Sequence, residues 1–442
     1  MKRAVIAAAL LLLTTAPAAQ AAPGWTPCGP GGGAECTTVT VPVDWSTVDG
    51  PSIDLTVSRR KATGDRLGVL FFAPGGPGTP AAEIIKGLRP EQVPELQKHF
   101  DLVGVTARGL DPLYPVRCPQ VDGPAVEVPG SKQEFADYRQ RVAAFGAACR
   151  EMTGPLFDHV DSTSDTRDLE AVRKVLGAEK VSFYSLSYGT LLSQRYAELF
   201  PDRVERIALD SAMDHSIPDA WSYMVTEAVA AEQDFHRWAD WCQATESCAL
   251  HGQDVYALQR ELQARADLKD NAGQPLRLDY LTELTGDSKT WPAMAVALKS
   301  LRDTGISTEK NLPHAVRGFK YAILCQDWNF AIRDYAELRA AVDRLHRIAP
   351  MTRLNSNVDD VLGCLGWPVT NTNPPHRLPE MPNVQARMFH SRYDMEAPYS
   401  WAQRISVQSG WPLVTYQGVQ HGVYEVPGMG ERIDRFLVTG NP

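Results

Sequence analysis

Short runs of apolar residues alternate along the chain with segments of helical periodicity, beginning near residue 68. Buried parallel strands are near-continuous apolar runs, and helices connect each strand to the next. The pattern predicts the α/β class, with a mostly parallel central sheet flanked by helices. The runs that predict strands are residues 68–73, 100–106, 180–184, 204–209, 384–389 and 413–416.

Two helices are predicted between these strands. Asp165 is expected to cap the first, in which Leu169, Val172 and Leu176 share one face and Gly177 ends the helix. The second is predicted over residues 191–199, directly after the strand at 180–184.

The middle of the chain has a different pattern, with helical periodicity, several tryptophans and few strand-like runs. We therefore predict a largely helical lid or cap inserted at residues 214–380, between two parts of the core at 22–213 and 381–442. Residues 370–382 contain four prolines and are the predicted linker back to the sheet. Five tryptophans of the lid are expected to be core residues more than pocket residues: Trp221, Trp238, Trp241, Trp291 and Trp328.

The N-terminus has the pattern of a secretory signal peptide. Met1-Lys2-Arg3 is followed by an apolar run over residues 4–13 and by small residues. A signal peptide is therefore predicted over residues 1–21, with a buried N-terminal helix as the alternative. No later run approaches the roughly 18 residues of a membrane span, so we expect a secreted, extracellular protein without a membrane anchor.

Charge and cysteine content narrow the chemistry further. The formal net charge of −9 is spread along the chain, which argues against nucleic acid as a partner. Eight cysteines in an exported protein are expected to pair, although about 105 pairings are possible. No Cys-x-x-Cys pair or histidine cluster has metal-ligand spacing, so neither a metal nor another cofactor is expected. Sequence neighbourhood favours the pairs Cys28–Cys36, Cys118–Cys149, Cys242–Cys248 and Cys325–Cys364.

The most informative segment is Ser-Leu-Ser-Tyr-Gly at residues 185–189, between a predicted strand and a predicted helix. A nucleophile elbow forms in this context, because the tight turn needs small residues two positions either side of an exposed serine. Ser187 is therefore the predicted nucleophile, and Ser185 and Gly189 are its small neighbours.

A serine nucleophile requires a histidine base that is oriented by a carboxylate. In α/β folds with a nucleophile elbow, the chain order of the three residues is Ser, acid, His. Asp394 follows the strand at 384–389, and His421 follows the strand at 413–416. They are the predicted acid and base. Glu396 is an alternative for the acid, and His390 is an alternative for the base.

Two backbone N–H groups are expected to stabilise the oxyanion of the tetrahedral intermediate. Tyr188, next to the nucleophile, is the first predicted donor. The second is Gly76, in the Pro-Gly-Gly-Pro-Gly loop of residues 74–78 that follows an early strand. A plain Gly/Pro turn is the alternative interpretation of this loop.

Three motifs together resemble the proline iminopeptidase family of serine peptidases, and more narrowly the secreted tripeptidyl aminopeptidases of actinobacteria. They are Phe-Phe-Ala-Pro-Gly-Gly-Pro-Gly at 71–78, Asp-Leu-Val-Gly-Val-Thr-Ala-Arg-Gly at 101–109 and Tyr-Ser-Leu-Ser-Tyr-Gly-Thr at 184–190. The resemblance implies the α/β-hydrolase fold and release of short peptides or single residues from a free N-terminus. Ala73 and Ser185 depart from the family pattern.

The resemblance also implies that lid carboxylates bind the ammonium group of the substrate, since a desolvated cation needs a counter-charge. Asp327, Glu227 and Glu232 are the candidates, and an exposed helix face is the alternative for each. The expected partner is a peptide or a small-molecule acyl substrate, bound by a monomer. Two other functions stay open, which are an esterase or amidase for a small metabolite and a binding domain that has lost catalysis.

Overall fold

The computed structural model describes residues 24–441, apart from residues 31, 48, 311–314, 355 and 356. The predicted signal peptide at residues 1–21 therefore lies outside the described residues. In chain order, the strands are β1 (Thr26–Cys28), β2 (Ala34–Pro42), β3 (Ser52–Arg60), β4 (Gly68–Ala73), β5 (Phe100–Val105), β6 (Asp122–Ala125), β7 (Val181–Leu186), β8 (Val204–Asp210), β9 (Ala315–Arg317), β10 (Ala386–Ser391) and β11 (Leu413–Tyr416).

In the described chain, nine of these strands form one sheet in the order β1-β2-β3-β5-β4-β7-β8-β10-β11. The strands from β5 to β11 in this order are parallel to their neighbours. β1, β2 and β3 extend one side of the sheet in antiparallel pairs, and β6 pairs with β9 separately. This sheet, covered by helices, confirms the predicted α/β-hydrolase fold.

The helices follow the expected alternation with the parallel strands. They are α1 (Ala81–Gly87), α2 (Pro94–His99), α3 (Lys132–Thr153), α4 (Ser162–Val175), α5 (Gly189–Leu199), α6 (Ala220–Ala244), α7 (Val255–Gln263), α8 (Leu278–Leu281), α9 (Trp291–Thr304), α10 (Gly318–Asp327), α11 (Tyr335–Ile348), α12 (Asn357–Gly363), α13 (Tyr399–Ser409) and α14 (Met429–Thr439). No helix within the described residues is both long enough and apolar enough to span a membrane.

The start of α4 differs from the prediction. Asp161 caps this helix by accepting a hydrogen bond from the Ser164 N–H at 2.9 Å. Asp165 was the predicted cap, but it lies inside the first turn, where its carboxylate accepts a hydrogen bond from the Arg108 N–H at 3.2 Å. The helix therefore begins about one turn earlier than its apolar face indicates.

Arg108 anchors the antiparallel side of the sheet to α4. Its guanidinium is fully buried and makes two hydrogen bonds to the Asp168 carboxylate, at 2.7 and 2.8 Å. The same group donates to the backbone carbonyls of Pro42 and Val43, just after β2. The buried cation is tolerated here because carboxylate and carbonyl oxygens accept hydrogen bonds from the nitrogen atoms of its planar guanidinium.

Residues 211–385 connect β8 to β10 and contain helices α6 to α12. Part of this segment packs on the sheet, since Tyr223 and Trp328 belong to the same apolar cluster as Trp401 of α13. Trp238 and Trp328 are fully buried, and Trp291 is nearly so, in agreement with their expected core role. The description of residues 214–380 as a separate lid stays a prediction.

All eight cysteines lie in disulfide pairs in the structure. The bonded pairs are the four that sequence neighbourhood favoured, namely Cys28–Cys36, Cys118–Cys149, Cys242–Cys248 and Cys325–Cys364. Disulfides of this number are typical of proteins that fold in an oxidising compartment.

Candidate active site

Ser187 occupies the sharp turn between β7 and α5, with a positive φ of 55°. A non-glycine residue in this region is strained, and such strain is typical of a nucleophile elbow. Gly189 allows the turn, because a Cβ at that position would lie 2.0 Å from the Ala73 carbonyl oxygen. Ser185 takes the other small position and is fully buried opposite Ala73 of β4.

His421 and Asp394 meet at the same edge of the sheet, after β11 and β10. The Nδ1 atom of His421 lies 3.0 and 3.1 Å from the two oxygens of the buried Asp394 carboxylate. Asp394 is held in turn by the backbone N–H groups of Glu396 and Ala397, both at 2.9 Å. The carboxylate therefore fixes the ring so that Nε2 faces away from it.

The electrostatics of this pair follow from its burial and charge. Burial disfavours the imidazolium, but the charges of Asp394 and Glu396 outweigh it and raise the pKa of His421 above its usual range. Burial also raises the pKa of Asp394, yet the nearby His421 more than offsets this and holds that pKa below its ordinary value. The pair is therefore suited to stabilising positive charge on the ring.

His390 and Glu396, the alternatives for the base and the acid, lie in different surroundings from His421 and Asp394. His390 is fully buried, and both its ring nitrogens are occupied, with Nε2 2.7 Å from the Ala397 carbonyl and Nδ1 accepting from Ala212 N–H at 3.1 Å. The exposed Glu396 carboxylate lies 3.8 Å from Nε2 of His421, on the side opposite Asp394. Neither arrangement offers the geometry of a triad acid or base.

The serine turn and the histidine loop are joined through the end of β8. The Ser187 N–H donates to the Asp210 carbonyl at 2.9 Å, and the Gly422 N–H donates to Ser211 Oγ at 2.8 Å. The Leu186 side chain also approaches Gly422 closely enough that a Cβ there would be 3.0 Å away. Ser187 and His421 therefore lie on adjacent loops, and in the described residues the ring hydrogen bonds of His421 go to Asp394, leaving Nε2 available.

Asp210 was not anticipated from the sequence. Its buried carboxylate accepts hydrogen bonds from the N–H groups of Val423 and Tyr424 and from the Tyr184 hydroxyl. Burial raises the pKa of Asp210 to about 6, although these donors favour its charged form. The sequence feature that could have identified Asp210 is its position as an acidic residue directly after a predicted strand.

The two predicted oxyanion donors, Tyr188 and Gly76, differ in their relation to Ser187. The Tyr188 N–H lies ahead of the first turn of α5, where helix N–H groups have no intrahelical acceptor. Gly75, one residue before Gly76, makes the closest approach to the nucleophile, since a Cβ there would be 2.7 Å from Ser187 Cβ. Gly76 has a φ of 123° and turns the loop away towards Gly78. The importance of Gly75 follows from this contact and was missed in the sequence.

Asp327 is fully buried, so it does not lie on an exposed helix face, and its carboxylate is already hydrogen bonded within the protein. Its carboxylate accepts hydrogen bonds from the Ser162 N–H, the Asn373 amide and the Tyr188 hydroxyl. Burial raises its pKa to about 7. The residue therefore connects α10 to the start of α4 and to the nucleophile turn, as part of the protein interior.

Glu232 is also engaged within the protein, where it accepts hydrogen bonds from the N–H groups of Met351 and Thr352. Glu227 differs, because within the described residues neither of its fully buried oxygens accepts a hydrogen bond of good geometry, although the Tyr223 hydroxyl and the Lys320 ammonium are near enough to favour its charged form. Burial, together with the charges of Asp360 and Glu396, raises the pKa of Glu227 well above its ordinary value. Of the three acids, Glu227 is the one with the fewest hydrogen bonds from the described part of the chain.

No cluster of residues that could hold a metal ion is present among the described residues. Ser187, Asp394 and His421, the predicted nucleophile, acid and base, follow the ends of three parallel strands, β7, β10 and β11. Such a constellation can catalyse acyl transfer.

Comparisons with known proteins agree with this geometry. Residues 68–298 match the family described as alpha/beta hydrolase fold, and residues 351–442 match the family described as TAP-like protein. The chain is 28% identical to the tripeptidyl aminopeptidase of Streptomyces lividans, over 92% of this chain and 82% of that protein. These matches confirm the resemblance drawn from the sequence motifs.

Two mycobacterial proteins are similar to a comparable extent. Serine protease Hip1 of Mycobacterium bovis is 27% identical, over 90% of this chain and 85% of that protein. Carboxylesterase B of Mycobacterium tuberculosis is 26% identical, over 88% of this chain and 80% of that protein. The relatives thus include both peptidases and an esterase by name.

Proposed function

The chain belongs to the alpha/beta hydrolase fold family, and we propose that it is a secreted serine aminopeptidase that releases tripeptides or single residues from free N-termini. The observation that carries the proposal is the Asp394–His421 pair beside a serine with positive φ. The relatives named as a tripeptidyl aminopeptidase and a serine protease support a peptide substrate.

The proposed mechanism proceeds through an acyl-enzyme. Ser187 Oγ attacks the scissile carbonyl while Nε2 of His421 accepts its proton, and Asp394 stabilises the imidazolium that forms. The N–H groups of Tyr188 and Gly76 are the proposed oxyanion donors, with Gly75 providing close backbone approach. His421 then protonates the leaving amine, and water hydrolyses the ester by the reverse sequence.

Glu227 is the proposed anchor for the substrate ammonium. A buried carboxylate whose oxygens accept no well-formed hydrogen bond is costly, and Lys320 nearby is paired with Asp360, so an incoming cation would supply further counter-charge. Glu227 is close enough to Glu396 for their charges to interact, and Glu396 borders Nε2 of His421. An amino group held there would lie on the side of the lid that meets the active site.

Secretion is proposed from two observations. Residues 1–21 have the sequence pattern of a signal peptide, and four disulfides are formed in the described chain. Expression with the native N-terminus, followed by N-terminal sequencing of protein from the medium, tests this. Retention of the full-length chain inside the cell would contradict it.

Matched chromogenic substrates test the aminopeptidase proposal. Ala-Pro-Ala and proline anilides, each with a free or an acetylated N-terminus, are compared with a nitrophenyl ester. Cleavage confined to free-amine peptides is the expected result. The variant Glu227→Gln should raise KM for these peptides by about 30-fold or more, because the ammonium loses a buried counter-charge. Glu261→Gln, an exposed lid substitution, is the matched control.

An esterase acting on a small metabolite is the second candidate, favoured by the similarity to carboxylesterase B. The same catalytic steps apply, with an alcohol as the leaving group. Cleavage of the nitrophenyl ester without cleavage of any free-amine peptide would favour this function over the first.

A further inference from the structure

A cavity of about 840 Å³ lies beside His421. Its base is apolar and comes from the sheet and the two helices that cover it, including Leu70, Phe72, Ile84 and Leu88. This volume is within the range of pockets that hold small molecules or side chains. Nothing in the catalytic steps described above uses it.

The cavity borders one side of the active site. His421, Gly422 and Glu396 line it, whereas Ser187 and Gly75 are not among its described lining residues. A smaller cavity of about 50 Å³ is lined instead by Gly75 and Tyr188, at the oxyanion loop. Phe72 lines both, so the two cavities adjoin each other, with His421 at the larger and Tyr188 at the smaller.

The position of His421 decides which part of a substrate the larger cavity would receive. In acyl transfer the histidine donates its proton to the leaving group, so that group must sit against Nε2. The acyl part stays bonded to the serine beside the oxyanion donors. A cavity on the histidine side therefore faces the leaving group.

We propose that this cavity binds an apolar side chain of the leaving group, which for a peptide is the residue directly after the cleaved bond. The inference rests on the proposed peptidase function and adds the substrate preference at that position. Burial of an aliphatic side chain against Leu70, Ile84 and Leu88 is favourable in proportion to the apolar area removed from water.

The charged lining residues add a charge preference. The carboxylates of Asp287, Glu396 and Glu425 and the ammonium of Lys289, which we call the rim, are exposed or half-buried, and their summed charge is negative. A free carboxylate on the leaving residue would be repelled by this rim. The site therefore suits a residue whose carbonyl is in an amide, as in a longer peptide.

The test compares leaving residues behind a constant acyl part, with Ala-Pro-Ala-Leu-amide and Ala-Pro-Ala-Gly-amide as substrates and kcat/KM as the measurement. We expect about tenfold or greater preference for the leucine amide, the usual effect of one buried aliphatic side chain. Ala-Pro-Ala-Leu with a free carboxylate should be cleaved less well than its amide, and equal cleavage would overturn the role of the rim.

The second test fills the cavity with a larger side chain. Leu88→Trp should abolish most of the leucine preference while glycine-amide cleavage continues, and Val407→Trp, at a position 80% exposed, is the control. If thermal unfolding shows that Leu88→Trp does not fold, Ile84→Trp replaces it. Equal cleavage of both amides by the natural protein, or an unchanged preference in the folded variant, overturns the inference and leaves the peptidase function standing. Cleavage of neither amide overturns both.

Discussion

Both carboxylate oxygens of Asp210 accept a hydrogen bond from the Val423 N–H, at 2.8 and 2.9 Å. Val423 lies two residues after His421, and the Asp210 carbonyl also accepts from Ser187. One residue at the end of β8 therefore fixes the backbone of both loops that carry the proposed nucleophile and base.

We expect Asp210→Asn to misplace the histidine loop, because the amide can accept from fewer N–H groups and its NH₂ repels one of them. The loss of hydrogen bonds to a charged acceptor should lower kcat by about 10-fold or more, with a smaller change in KM. Steady-state kinetics check this, with the exposed Asp303→Asn as control. An unchanged kcat would mean that the loop is positioned without Asp210.

Ser187→Ala should abolish turnover and leave the fold intact, since the alanine side chain has no nucleophile and fits the same turn. Activity is measured on the best substrate identified, and folding by thermal unfolding. If the variant keeps full activity, Ser187 is not the nucleophile.

The identity of the acid is tested by removing each candidate charge in turn. Asp394→Asn should lower kcat by about 10⁴-fold, because the His421 ring loses the partner that orients Nδ1. Glu396→Gln should reduce kcat far less, since that carboxylate contacts the Nε2 side at 3.8 Å. The opposite ranking of the two variants would make Glu396 the acid.

The pH dependence follows from the charges around His421. The ring must be neutral to accept a proton, and Asp394 and Glu396 raise its pKa. The acid limb of kcat/KM should therefore lie above 6.5, the ordinary histidine value. Glu396→Gln removes a charge that stabilises the imidazolium, so the limb should move to lower pH. Glu205→Gln, on an exposed site, should leave it in place, and a limb that moves upward or stays fixed in Glu396→Gln contradicts this account.

Arg108 is expected to matter for stability more than for catalysis. Arg108→Met leaves the buried Asp168 carboxylate without its cation and should destabilise the protein by about 3–5 kcal/mol. Denaturant unfolding measures the change, and activity per folded molecule should be retained. A loss below about 1 kcal/mol would mean that the buried pair is nearly neutral in free energy.

The parallel strands were predictable because each is a buried apolar run followed by glycine or a polar turn. β4 and β11 have the predicted bounds, and β7 and β10 differ by one or two residues. The antiparallel strands β1, β2 and β3 were missed. They extend one side of the sheet and alternate polar with apolar residues, as at residues 38–41 of β2, a pattern weaker than a continuous run.

The site was predictable where chemistry fixes residue type and chain order, as for the serine, acid and histidine. The site was not predictable for residues whose hydrogen bonding depends only on how distant segments pack. Asp327 and Glu227 are both acids on helices between β8 and β10, yet the first accepts several hydrogen bonds and the second accepts none of good geometry from the described residues. Contacts between distant parts of the chain, such as the hydrogen bond from Ser162 to Asp327 across 165 residues, determine that difference.

The neighbouring positions of β8 and β10 bear on how this protein can change over evolution. Ile207 pairs with Ala386 in a parallel register, so the chain leaves the sheet after Asp210 of one strand and returns to it on the adjacent strand. A segment that begins and ends on adjacent strands can be regarded as an insertion into the sheet. Its length and sequence can vary between descendants, or be exchanged by an engineer, while the strand register beneath the proposed nucleophile is inherited unchanged.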